Sequence, residues 1–519
     1  MKSTRYRVIG AVMLLAMVLQ ACTKDFQNIN TDPVNTPNAL PQQLLAPALV
    51  ATLSANMSRN RSFDNELMQV TVSQTDDEGA IFRYEYRNTV SDGLWNAWYL
   101  QLTNFKDIYK KASDPLTQNK SYQGISLICQ AWIYSLLTDT YGDVPYSESN
   151  LGRDSAIYEP KFDKQKDIYL GIFQQLEAAN TLLSANTAIT PNSDPVFNGN
   201  VSRWRKFGNS LYLRLLIKLA DKAEVASDVQ SKIKQMVDTS PSTYPVMASN
   251  DDAAILKWTG GVYTSPYQTI REQDWRQPAI GSFFIGHLVD WNDPRINITQ
   301  YGTSGFNRWG IAQGPGGFAG VPSGYSPGGG STKQSYFYSN TSAVSLQTDP
   351  MTGILMNYAE LQFILAEASA KGYIATGTAQ NYWENGILAG LKYWLPTWPN
   401  QTSTGTISSP TTSTPEFRKY LSDADLFWND ADPLEDKMEK IHLQKYYALF
   451  LVDLQQWFEY RRTGHPVLPK GSGLRNGGVM PARMVYPVYV QSANPTNYKL
   501  AVAAQGPDAI STQVWWQRK

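Results

Sequence analysis

Glu360 and Glu367 lie seven residues apart on one predicted helix, and a carboxylate pair is what glycoside hydrolysis uses. Seven helical residues set them about 10.5 Å apart along the axis. Retaining glycosidases need about 5–5.5 Å and inverting ones about 6.5–9.5 Å. The pair fits neither, and Glu367 stands four residues before Lys371, a favourable helix ion pair. Of the three histidines, His287, His442 and His465, no two stand at metal-ligand spacing, and no His-Glu-x-x-His occurs. There is no Gly-x-Ser-x-Gly nucleophile elbow. The runs Gly314-Pro315-Gly316-Gly317 and Gly328-Gly329-Gly330 lack the Gly-Lys-Ser/Thr ending of a phosphate loop. Asp76-Asp77-Glu78, ahead of Gly79, could offer oxygens to calcium. It lacks the full set of spaced ligands and reads as a solvated turn. No catalytic set, cofactor or metal is expected.

What remains is contact chemistry. Aromatics make up 12% of the chain, with 15 Trp and 30 Tyr. A sugar ring offers an apolar face of C–H bonds and a rim of hydroxyls. Flat aromatics receive the face, and Arg, Asp, Asn or Gln receives the rim; small-molecule sites are built this way, with apolar walls and a few placed polar groups. The candidate ligand residues on loops or near them are Phe82, Arg83, Tyr84, Arg271, Trp275, Arg276, Tyr301, Trp309 and Tyr325. Tyr86, Phe318 and Arg308 lie among them. Trp95, Trp98, Trp132 and Trp204 fall on helical stripes and read as core.

The elements that must hold these residues are mainly helical. Leu94, Trp95, Trp98, Leu102, Phe105 and Tyr109 recur at helical spacing, as do Ile125, Ile128, Trp132 and Leu136 in the next segment. Four helical pairs are expected, at about 94–138, 164–219, 354–393 and 433–461, the last broken near Val452-Asp453. In 201–219 an apolar stripe (Trp204, Phe207, Leu211, Leu215, Leu219) runs beside a basic one (Arg203, Lys206, Arg214, Lys218). A core face next to a solvated face accounts for it. The pairs resemble tetratricopeptide packing, although a strict 34-residue period is absent. Residues 220–350 form an insertion whose Gly/Ser-rich stretch must be loops and short strands, since glycine costs about 1 kcal/mol per helical position. Residues 398–415 read as a surface loop.

Apolar residues at 42% provide for a sizeable core, while charged residues reach only 17%. The formal net charge is zero, and no basic face or run suits nucleic acid. Lys2, Arg5 and Arg7 precede an uncharged run from Val8 to Leu19, too short to span a bilayer but right for a signal peptide. It ends in Leu19-Gln20-Ala21-Cys22, which resembles a bacterial lipobox with Gln20 where a small residue is commoner. Residues 1–21 are thus read as signal peptide, Cys22 as the lipidation site, 22–40 as an extended tether and 41–519 as a single domain. Loss of Lys2, Arg5 and Arg7 takes the mature net charge to about −3. Cys129 lies in an apolar helix and reads as a small buried hydrophobe.

Five segments together resemble the SusD/RagB family, in family order and across most of the mature chain. Thr138-Asp139-Thr140-Tyr141-Gly142-Asp143-Val144-Pro145-Tyr146 is similar to its Asp-x-Tyr/Phe-Gly-x-Val-Pro-Tyr signature. Arg203-Trp204-Arg205-Lys206-Phe207-Gly208-Asn209-Ser210-Leu211 resembles its Trp-x-Lys-Phe-x-Asn-Ser-Leu helix. Tyr358 to Ala368 looks like its helix with two glutamates. Gln444-Lys445 with Trp457 to Gly464 resembles its C-terminal hallmark, and Arg483-Met484-Val485-Tyr486-Pro487 its closing motif. The resemblance implies a SusD-like fold of four tetratricopeptide-like helical pairs. It implies a lipoprotein on the outer surface of Bacteroidetes-type outer membranes that caps a SusC-like TonB-dependent transporter. It also implies a ligand, an oligosaccharide or in some members a peptide, trapped between the two proteins. In relatives the ligand residues come from loops before the first pair and from the insertion, here about 74–87 and 262–338. Neutral charge and aromatic loops suit a neutral oligosaccharide better than a charged peptide. The alternatives are a surface glycosidase with carboxylates from distant loops and a purely structural or adhesive surface protein.

Overall fold

A computed structural model describes residues 39–75, 79–297, 305–399 and 411–518. The signal peptide, Cys22 and nearly all of the tether lie outside these residues, as do Asp76–Glu78 and Tyr301.

The helices are α1 (Pro41–Arg59), α2 (Asp92–Ser113), α3 (Lys120–Tyr141), α4 (Gln165–Leu183), α5 (Val201–Leu219) and α6 (Ala226–Lys234). In the insertion come α7 (Glu272–Arg276) and α8 (Ser282–Asp290). Then follow α9 (Tyr358–Ala370), α10 (Ala379–Trp394), α11 (Pro415–Asp423), α12 (Leu434–Ala448), α13 (Gln455–Thr463), α14 (Val488–Ala493) and α15 (Pro495–Gln505). Helix α2 packs on α1 and α3, α3 on α4, α4 on α5, and α9 on α10 and α12. The four expected pairs are present, with the break between α12 and α13 near Val452. Helix α1 was not foreseen. Its apolar residues share their faces with Ala, Thr, Ser and Asn, so no clear stripe marks it.

Polar side chains fix where helices begin and end. Asn119 caps α3, its Oδ1 accepting from the backbone N–H of Ser121 (2.9 Å) and Tyr122 (3.1 Å). Asn357 caps α9 in the same way (2.9 Å from the Glu360 N–H) and donates to the Ala448 carbonyl at the end of α12 (2.6 Å). Helix α3 stops at Gly142, whose φ of +86° suits glycine.

The stripe of Arg214 and Lys218 corrects the solvated-face reading. Both are buried. Arg214 pairs with Glu360 of α9, and Lys218 with Asp139 of α3. Helix α5 lies among other helices, so its basic side meets their acids instead of water. Periodicity cannot tell those two partners apart.

Strands are short: β1 (Thr71–Val72), β2 (Ala254–Ile255), β3 (Ala279–Ile280), β4 (Ile311–Ala312), β5 (Tyr336–Phe337) and β6 (Ile354–Met356). They pair antiparallel as β1 with β3, β2 with β6, and β4 with β5. The first pairing ties the segment before α2 to the insertion.

Candidate ligand-binding surface

The insertion presents an aromatic row because β5 and the residue after it alternate. Phe337 turns inward and stacks on Phe450 (6.1 Å between centroids, 14°). Tyr336 and Tyr338 turn outward and are half-buried, with ring centroids 6.0 Å apart. Phe306 meets Tyr338 edge to face at 5.3 Å. Helix α7 aims Arg276 over this row: its guanidinium lies 4.8 Å from the Tyr336 centroid, and Nη2 donates to the Tyr336 hydroxyl (2.9 Å). Glu272, one turn earlier, accepts from Arg276 Nη1 (3.0 Å), which holds its carboxyl below the usual range. Lys333 Nζ sits 4.7 Å from the same Tyr336 ring. Burial, and then the charge of Arg276, lowers its pKa. Ring faces, an ion pair and a hydroxyl thus converge on one surface, which can bind by stacking and hydrogen bonding.

The expected residues divide. Arg276 belongs to this surface. Trp275 supports it from below: it is buried, donates from Nε1 to the Tyr338 carbonyl (2.9 Å) and lies under Arg61 (5.1 Å). Arg271 is exposed and held by Asp274 (2.6 Å). Tyr325, half-buried, lies tilted against Phe82 (4.9 Å between centroids, 34°), with the Arg83 guanidinium 5.0 Å from the Tyr325 centroid. The loop before α2 and the insertion therefore meet through Phe82, Arg83 and Tyr325.

Four candidates, Phe82, Tyr84, Trp309 and Arg83, need correction as contact surfaces. Phe82 is fully buried in a small core with Val72, Ala279 and Val321. Tyr84 is buried in the main core. Trp309 is buried among Phe284, Trp394 and Phe450, with Arg295 above its ring at 4.7 Å. Arg83 is buried too, its Nε donating to the Tyr325 carbonyl (2.8 Å). Loop composition suggested exposure, but these loops fold over their own aromatics. Tyr336, Tyr338, Phe306 and Lys333 were missed as individuals. The Tyr-Phe-Tyr alternation was the signal that could have found them.

The acidic helix α9 does something else. Glu360 is buried in its ion pair with Arg214. Glu367 accepts from Arg462 (2.7 and 2.6 Å) and Lys371 (2.8 Å). Burial would raise its pKa, but Arg462 and the other cations outweigh this and hold it low. Neither carboxylate faces a substrate. Glu367, His442 and Glu459 do bring one donor atom each within 4.8 Å of one another. Spacing along the chain concealed that cluster, as it concealed the stacking of His442 on His465 (6.1 Å, 9°). A divalent metal does not fit there. Arg462 and Lys445 also bind Glu459 (2.8 and 2.6 Å), so three cations already serve two carboxylates. A metal would add positive charge to a positive site. Among the described residues, no helix is long and apolar enough to cross a membrane.

Known proteins match this fold over nearly its whole length. A chitin-binding protein of known structure superposes with a TM-score of 0.71 at 23% identity, over 92% of this chain and 99% of its own. A chitin-binding SusD homologue from Flavobacterium johnsoniae gives 0.72 at 22%, over 92% and 96%. A SusD homologue from Bacteroides uniformis gives 0.71 at 24%, over 92% and 99%. At such identities the likeness speaks for the fold. No curated protein matches the chain. Residues 33–487 match the family SusD-like_2, described as starch-binding and associating with the outer membrane, and the chain belongs to that family.

Proposed function

We propose that this protein is a surface lipoprotein that captures a neutral oligosaccharide and hands it to a SusC-like TonB-dependent barrel transporter, without chemistry of its own. The observation that carries the reading is the outward aromatic row of Tyr336 and Tyr338 under Arg276. It offers aromatic rings and hydrogen-bonding groups. Family membership supports a binding role at the outer membrane. The solved chitin-binding proteins of the same fold support a glycan guest. Acylation at Cys22 would hold the body at the membrane, since buried methylenes contribute about 0.8 kcal/mol each and several chains together anchor stably.

Titration calorimetry of the purified protein against maltooligosaccharides, chitooligosaccharides and peptides tests the guest. Saturable glycan binding that Tyr336→Ala weakens about thirtyfold is the expected result. Binding of peptides alone, or turnover of a glycan, would overturn it. Recovery of a barrel transporter by affinity capture from outer membranes tests the partner.

A further inference from the structure

A cleft lies where the turn before β2 meets the start of α9 and one face of α10. Its volume is about 400 Å³. That falls within the roughly 300–1,000 Å³ of small-molecule pockets. Helical spacing builds one wall: Asn385, Leu388, Ala389 and Lys392 stand at i, i+3, i+4 and i+7 on α10. Asn250 ties the opposite wall to that helix, donating from Nδ2 to the Ala389 carbonyl (3.0 Å). Asp252 is held by Lys206 of α5 (2.8 Å). The turn that carries Asp251 is therefore fastened on both sides. Tyr358, in the first turn of α9, supplies the aromatic ring. It packs partly on the main core and is half-buried. Among the described residues it meets no other aromatic ring.

Four polar groups of this cleft are uncommitted and within reach of a guest. Among the described residues, the Tyr358 hydroxyl, the Asn385 amide, the Lys392 ammonium and the Asp251 carboxylate make no hydrogen bond or ion pair. Tyr358, Asn385 and Lys392 are half-buried and Asp251 is exposed, so none is sealed from solvent. Burial lowers the Lys392 pKa and Asp251 raises it, yet the two form no ion pair. They are the only charged residues lining the cleft among the described ones, and their charges cancel. The ammonium only donates, the carboxylate only accepts, and the phenol and amide do both. A guest must therefore bring donors and acceptors together without net charge. An anion would meet Asp251, and a metal ion would meet Lys392. A zwitterion would match both charges, but exposed ion pairs contribute only about 0–1 kcal/mol. A sugar ring brings hydroxyls that act either way and a C–H face for the Tyr358 ring.

We infer that this cleft on the third helical pair is a carbohydrate site of its own, holding a neutral pyranose. The sugar's C–H face lies on the Tyr358 ring. Its hydroxyls accept from Lys392, donate to Asp251 and do both with the Asn385 amide. The site shares no residue with the insertion surface and stands or falls separately from it.

Fluorine NMR of the full-length protein labelled with 3-fluorotyrosine tests this, with the Tyr358 line assigned from Tyr358→Phe. The probes are methyl glucoside, N-acetylglucosamine, maltotriose and chitotriose, with glycylglycine as the zwitterion. The expected result is a saturable shift of the Tyr358 line by at least one sugar. Lys392→Met with Asp251→Asn should weaken that binding at least tenfold, and a melting curve checks that the fold is kept. Asn385→Ala, on the same face of α10, should weaken it as well. Arg276→Ala with Tyr336→Ala should leave it intact. No sugar shift, a shift indifferent to all three cleft substitutions, or a shift caused by glycylglycine alone would overturn the assignment. A sugar response that only the Arg276/Tyr336 variant abolishes would support the insertion surface and refute the cleft.

Discussion

Arg214 and Glu360, 146 residues apart in sequence, form a two-armed ion pair inside the protein: Nε to Oε1 and Nη2 to Oε2, each 2.6 Å. Their side chains are 2% and 1% exposed. Arg214 also donates to the Leu355 carbonyl (3.1 Å), so one guanidinium joins α5 to both β6 and α9. The pair locks the second helical pair to the third. Removing one partner strands the other as a buried charge. Arg214→Met is expected to cost about 3–5 kcal/mol, while Arg214→Met with Glu360→Leu recovers most of it. Urea unfolding of the two variants checks this; equal loss in both would show that the charge itself is not what matters.

Acid should weaken the fold through His442. Burial holds its pKa down to about 3 from the usual 6.5, against the opposing pull of Glu367. Unfolding therefore takes up a proton between those values. The contribution is complete above pH 6.5 and is lost as pH falls toward 3, by up to about 1.4 kcal/mol per pH unit. His465 acts with the opposite sign. Its hydrogen bond with Glu439 raises its pKa, so its contribution is present at low pH and fades as pH rises through that raised value. Denaturation midpoints at pH 5 and pH 7 should differ less in His442→Gln than in the parent. An unchanged difference would refute the assignment.

Tyr336→Ala should reduce glycan affinity by about thirtyfold, the roughly 2 kcal/mol of a binding hot spot. Its ring is half-buried and on the surface, so thermal stability should change little. Arg276→Ala should weaken binding as well, by removing both a donor and the group that holds the Tyr336 ring. Calorimetry beside a melting curve separates lost contact from lost fold.

Cys22→Ala should abolish acyl labelling and move the protein from the detergent phase to the aqueous phase. Metabolic labelling with palmitate and phase partition read this directly. Labelling that persists in the variant would place the anchor elsewhere.

Glycine at a helix crossing gives a test of packing. A Cβ on Gly386 of α10 would come 2.6 Å from the Phe363 ring of α9. Gly386→Val should destabilise by about 1–3 kcal/mol through overpacking. Unchanged stability would show that the two helices can separate freely.

Helical spacing and cap residues are local properties, and they were legible before any fold was known. Trp204, Phe207 and Leu211 announced α5 by their period, and Gly142 with Pro145 announced the end of α3. The ordered motifs from Asp139 to Tyr486 identified the family for the same reason: each is a short run of residues with its own spacing. The sequence alone therefore determined the helical pairs and the family. Tertiary structure decided which faces met water. Lys218 looks solvated until Asp139 arrives from α3. Trp309 looks available until Phe284, Trp394 and Phe450 close around it. Tyr336 meets Arg276 only because α7 brings that guanidinium from 60 residues away. Exposure depends on what the rest of the chain places nearby, and no local pattern encodes that.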